Sequence, residues 1–225
     1  MEALVGFFRE YGPMLGQGLG ETCLMTFGAL AGSYALGLPL GVLLTLTGPG
    51  GMHRCKRLHG LLGAIADVGR SVPFLILMLA LIPFTRLVAG TTIGPRAALV
   101  PLVAGAAPFV ARLVESALQQ VPPELVESAR AWGATPLQTA WRVLLPEAAP
   151  ALMRGVAITG VTLTAYSALA GVVGAGGLGD IAIRYGYHRY EYGVMLATLA
   201  VLIVFVQLIQ GLCGLLARRM EERVR

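Results

Sequence analysis

Long apolar runs alternate with short polar stretches along the 225 residues, and the runs set the elements. No Asp, Glu, Lys or Arg occurs from Thr22 to His53. About 20 apolar residues of helix cross a bilayer, so this run predicts a membrane span over 22–46. Gly48-Pro49-Gly50-Gly51 then stops the helix. A second run, 61–84, carries Asp67 and Arg70, with Pro73 just after them. A third, 97–118, is free of charge until Arg112 and Glu115. Gly155 to Gly179 and Tyr192 to Ala217 are again free of charge, which gives a fourth span over 155–173 and a fifth over 193–217. Residues 85–96 read as a short polar loop with Thr-Thr-Ile-Gly-Pro turn chemistry, and 174–192 as a loop rich in glycine and tyrosine. The expected class is all-α: a polytopic membrane protein with five transmembrane helices.

One polar stretch is out of keeping with its surroundings. Residues 121–147 read VPPELVESARAWGATPLQTAWRVLLPE and lie between two apolar runs. Pro122 and Pro123 suit the first turn of a helix, where the missing N–H has no partner to lose. Glu124 and Glu127 fall in the early, positive end of that helix. Gly133 stops it in a left-handed conformation. Thr135-Pro136-Leu137-Gln138 starts another, with Thr as N-cap, Pro at the first helical position and Gln closing a capping box. Leu145-Pro146 marks a third boundary. The pattern predicts two short helices with a corner between them, a rigid knob.

Composition fixes the class and the side on which each loop lies. Hydrophobic residues make up 56% and charged residues 13%, against roughly 25% charged in soluble domains. Gly28/Gly32 and Gly37/Gly41 have the spacing for close helix contact, and the glycine abundance of membrane helices accounts for them equally well. The net charge of +5 comes from basic residues at the ends of apolar runs, which are topology signals and not a nucleic-acid surface. Five spans put positions 54, 56, 57, 130, 142, 218, 219, 223 and 225 on one side and 9, 86, 96, 184 and 189 on the other. The positive-inside rule then places 121–147 and the basic tail 218–225 in the cytoplasm, with the N-terminus outside. Residues 1–18 lack the basic start and cleavage site of a signal peptide and read as an uncleaved lead-in, with Phe7, Phe8 and Tyr11 at the membrane interface. Cys23, Cys55 and Cys213 are too far apart for a metal or redox motif.

Candidate chemistry narrows by elimination. Gly174–Gly179 matches GxGxxG, but a nucleotide site needs a strand before it and a helix opening at its end. Here it follows an apolar span, and a flexible or tightly turned re-entrant loop fits better. No GxxxxGK[ST] occurs, and the only lysine is Lys56, so this chain cradles no ATP by a P-loop. No Ser/His/Asp set or metal-binding cluster stands in the spans, and His53, His59 and His188 read as solvated or interfacial. That leaves no catalytic, cofactor-binding or metal-ligating candidates. The in-span charges Asp67/Arg70 and Arg112/Glu115 are each spaced i,i+3 and self-pair on a helix. Two readings stand: a cross-helix set, Asp67 with Arg112 and Arg70 with Glu115, or charges snorkelling to water near helix ends.

Glu127-Ser128-Ala129, then Gly133, then Leu145-Pro146, resembles the EAA loop of ABC-importer permeases, with Ser128 in place of the usual first Ala. Arg70-Ser71-Val72-Pro73-Phe74, Ile82-Pro83-Phe84-Thr85-Arg86, Ala107-Pro108-Phe109 and Tyr185-Gly186-Tyr187 extend the resemblance over roughly 20–211, closest to the permease subunit of methionine importers. The resemblance implies a type I ABC importer transmembrane domain over 19–211 in the bacterial inner membrane, surrounded by lipid. It implies a homodimer, two cytoplasmic ATPase subunits that bind the ATP, and an extracytoplasmic lipoprotein-type binding protein. It makes Glu127, Ser128, Ala129 and Gly133, with Arg130 and Thr135 beside them, the coupling helix that seats on the ATPase. Tyr166-Ser167-Ala168-Leu169 matches the family's gate context, so Leu169 is the gate candidate, with Tyr166 and Ser167 lining the path; a plain core leucine fits Leu169 as well. A permease for another small amino acid keeps every one of these features. A self-sufficient channel or secondary transporter calls for ionisable residues at the midplane or paired broken helices, and an intramembrane enzyme calls for a nucleophile with a base.

Overall fold

The computed structural model describes residues 2–224, and among them every regular element is helical. In chain order these are α1 (Glu2–Thr47), α2 (Lys56–Ser71), α3 (Phe74–Ala80), α4 (Ile82–Ala89), α5 (Pro95–Leu118), α6 (Pro123–Ala131), α7 (Pro136–Thr139), α8 (Leu145–Glu147), α9 (Ala149–Ala170), α10 (Gly177–Ile181) and α11 (Tyr192–Val224). Wide π turns fill 140–144, 171–175 and 182–187. Among the described residues four helices are long and apolar enough to cross a membrane: α1 from Arg9, α5, α9 continued to Ala175, and α11 to Glu222.

The expected second span is not one helix. It breaks at Val72, whose ψ of 124° is extended because Pro73 follows, and α2 and α3 meet there at a sharp bend. The pair counts as a fifth crossing only if taken together. The expected polar loop at 85–96 is shorter as well. Apolar positions carry α4 on to Ala89, and Gly90 at φ +72 ends it. The lead-in is continuous with α1. Phe7 and Tyr11 sit 5.0 Å apart, packed on a core cluster. The side chains of Phe8 and Arg223, and Arg225 altogether, lie outside the described residues.

The chain forms two compact units, each drawn from three stretches. One comprises Met1–Leu30, Pro73–Val103 and Gly160–Ile209. Its core holds Leu15, Leu178, Ile181 and Val194. Gly28 lets α1 approach α5, where a Cβ would come within 2.8 Å of Leu99. Phe27 meets Phe205 edge-on. The other comprises Ala31–Val72, Ala104–Thr159 and Gln210–Arg225. Its core holds Val42 and Leu46 of α1, Val110, Val114 and Leu118 of α5, and Ala140, Leu144 and Ala148. Gly37 and Gly41 lie directly on α5, a Cβ at either coming within 2.8 Å of the Ala107 or Ala111 carbonyl. This pair is therefore a true helix contact.

Candidate functional site

The knob at 121–147 is built by local hydrogen bonds that its sequence dictates. Gly133 has φ +78 and ends α6. The Gly133 N–H donates to the Arg130 carbonyl and the Ala134 N–H to the Ala129 carbonyl, both at 3.0 Å. These two bonds are a Schellman motif, which puts the left-handed residue four positions after the one whose carbonyl closes the wider ring. The spacing from Ala129 to Gly133 is that spacing, so the motif has a backbone cause. Thr135 then caps α7: its hydroxyl accepts the Gln138 N–H, and Gln138 Oε1 accepts the Thr135 N–H at 2.9 Å.

Beyond α7 the chain departs from the expected third boundary. Leu145-Pro146 does not break the helix. The π turn at 140–144 widens the backbone just before Pro146, with the Leu145 N–H reaching the Ala140 carbonyl, and the helical path continues into α9. The knob is thus one short helix, a glycine corner and a capped entry into a long helix. Val126 and Leu144 bury its inner side. Arg130 donates to the Met52 carbonyl, which ties α6 to the turn after α1. Glu127 and Ser128 face outward. So do three apolar side chains absent from the motif: Trp132, 89% exposed, with Leu137 and Trp141, each 62%. Their helix positions alone did not single them out. The signal was present in two tryptophans set in the one polar stretch.

The charged residues gather around Arg112. Its guanidinium donates from Nη2 to Asp67 Oδ2 at 2.6 Å and to the Gly63 carbonyl at 3.0 Å, and from Nε to Asp67 Oδ1 at 3.1 Å. Nη1 donates to Glu115 Oε2 at 2.7 Å. Arg112 therefore joins α2 to α5. The cross-helix partner expected for Arg70 is different. Arg70 turns back to Asp67 on its own helix at 3.3 Å, and Glu115, nearly buried, takes Arg112. Gly63 and Gly69 admit this approach: a Cβ would meet Arg112 at 2.9 Å and Pro108 at 2.7 Å. His59 is not simply solvated, because Nδ1 lies 3.1 Å from the Leu44 carbonyl near the end of α1.

Near the end of α9, Tyr166 stacks on Phe74 with ring centroids 4.4 Å apart and planes 3° from parallel. Two of the motif fragments thus meet. Leu169 is 43% exposed. Ser167 is 1% exposed, and its hydroxyl donates to the Thr164 carbonyl at 2.8 Å. The glycine stretch beyond is tightly turned, with φ of +92, +82 and +79 at Gly174, Gly176 and Gly177. Among the described residues no cluster of His, Cys, Asp or Glu is placed to hold a metal ion.

Residues 37–222 match the model of the binding-protein-dependent transport system inner membrane component family. The chain is 55% identical over 203 residues to the probable D-methionine transport system permease protein MetI of Vibrio cholerae, covering 90% of each. It is 49% identical over 158 residues to the D-methionine transport system permease protein MetI of Escherichia coli K12, covering 70% of this chain and 73% of the relative. Among solved structures, a chain of the inward-facing MetNI methionine ABC transporter superposes with a TM-score of 0.92 at 46% identity, over 94% of this chain and 98% of that one.

Proposed function

Because the chain belongs to the family of binding-protein-dependent transport system inner membrane components, we propose that it is the permease subunit through which methionine enters a bacterial cell. The observation that carries the mechanism is the knob at 121–147. Its backbone is locked by a Schellman motif and a capping box, while Trp132, Leu137 and Trp141 stand out in solvent. A rigid element with an exposed aromatic face is suited to dock a partner, since Trp anchors carry much of the energy of protein contacts. The partner is an ATPase of the ABC class, two copies per transporter, which binds and hydrolyses the ATP. The permease itself catalyses no reaction and holds no cofactor.

Coupling follows from the connections. Closure of the ATPase pair displaces the knob, and helical segments follow one another from the knob through 140–147 into α9. The displacement therefore reaches Leu169, the gate residue, along one helix. An apolar side chain at a constriction seals against water and ions until the helices part. A second copy of the chain supplies the opposite wall of the path, and a lipoprotein-type binding protein delivers cargo from outside. The membrane domain covers 19–211, with 1–18 outside and the basic tail 218–225 in the cytoplasm by the positive-inside rule. The knob then faces the ATPase.

Reconstitution in vesicles tests this. Purified permease with its ATPase and binding protein imports methionine only when ATP is supplied on the knob side. Uptake without the ATPase overturns the proposal, and preferential uptake of another amino acid moves the cargo while keeping the class.

A further inference from the structure

The family model begins at residue 37, so the first half of α1 stands outside it, yet that half grips the glycine turn after α9. Glu21 Oε2 accepts the Gly177 N–H at 2.7 Å, and Thr22 Oγ1 accepts the Leu178 N–H at 3.0 Å. These are the first two amides of α10, whose own N-cap residue, Gly176, supplies no side chain. The other carboxylate oxygen of Glu21 accepts the Gln17 side-chain amide at 3.0 Å, which fixes the plane of the carboxylate. Thr22 is 2% exposed, and a buried amide that loses its acceptor is costly to leave unpaired. From the start of α5, the Gly94 N–H donates to the Gly174 carbonyl at 3.1 Å. A cleft of ≈ 350 Å³ lies against the turn.

Contact then passes straight to the gate. The backbone of Gly179 lies so close to α9 that a Cβ would come within 2.3 Å of the Ala168 carbonyl. Ala168 immediately precedes Leu169. Gly171 is equally tight, a Cβ there coming within 2.5 Å of the Asp180 amide. The turn and the end of α9 are thus backbone against backbone, with no side chain to absorb a shift.

We propose that Glu21 and Thr22 are positioning residues for the gate: they clasp the glycine turn and, through Gly179 and Ala168, set where Leu169 stands. The assignment rests on the transport reading above. In the complete transporter in vesicles, Glu21→Ala speeds hydrogen exchange at the Gly177 amide by about 30-fold, the loss expected for a charged acceptor. It also abolishes the stimulation of ATP hydrolysis by the binding protein, a ratio that needs no cargo. Glu21→Gln keeps a neutral acceptor oxygen for Gly177, with the Gln17 amide rotated so that its oxygen accepts from the new NH2, and restores both readouts in large part. Should Glu21→Ala fail to assemble, Thr22→Val removes a single acceptor and is read in the same way at Leu178. Unchanged exchange at these amides overturns the clasp. Faster exchange with normal stimulation per assembled transporter overturns its role at the gate. Failure of the wild-type transporter to import methionine, with both readouts as expected, counts against the cargo and not against the clasp.

Discussion

Gly133 has no atom within 4 Å of where a side chain would start, so backbone angle alone demands glycine there. A left-handed residue with a Cβ costs about 1–2 kcal/mol, and a β-branched one more. Gly133→Val is therefore expected to cut uptake per ATP hydrolysed by about tenfold while leaving expression intact, the factor that 1.4 kcal/mol represents. Normal coupled uptake would remove the corner from the mechanism. This residue was legible in the sequence because a Schellman corner is a local matter of six consecutive residues, 129–134. The same holds for the Thr135–Gln138 capping box. Arg112 marks where legibility stops. The i,i+3 spacing offered both self-pairing and cross-pairing, and the choice depended on two glycines of α2, Gly63 and Gly69, opening the way for the guanidinium and Pro108.

Among the elements, long charge-free runs were read reliably because hydrocarbon thickness imposes their length. Breaks inside runs were not. Pro73 lies in an apolar stretch that looks continuous, yet it forces Val72 out of helical geometry. Pro146 has the same residue type in a similar setting and leaves the path helical, because the π turn before it removes the demand for a normal hydrogen bond. Which outcome a proline takes depends on whether the preceding turn can widen, and the residue string does not state that. Glycine pairs posed a similar choice. Spacing alone left Gly37/Gly41 undecided, and their approach to carbonyls of α5 decides it. Gly41→Ala is predicted to lower stability by about 1–3 kcal/mol, the usual range for overpacking a tight contact. Gly214→Ala, where no atom lies within 4 Å, is expected to be neutral. Thermal unfolding of the two purified variants in detergent checks the difference; equal midpoints would show that α1 and α5 have slack.

Across the whole molecule, apolar side chains stand exposed where partners can meet them. Trp132 and Trp141 project from the knob, and alanine at either is expected to weaken ATPase association by at least about 2 kcal/mol, roughly thirtyfold in dissociation constant. Titration of detergent-solubilised permease with the ATPase measures it. Unchanged affinity in both variants would move the docking face elsewhere. Fold class and family were within reach of the sequence, whereas the use made of the first half of α1 was not, since Glu21 meets its partner 156 residues away. That separation also sets an order of events during synthesis. Translation at roughly 5–20 residues per second means about 8–30 s between the emergence of Glu21 and that of Gly177. For that interval the carboxylate in the first half of α1 has no Gly177 amide to accept from, so the clasp closes only once the final third of the chain has been made.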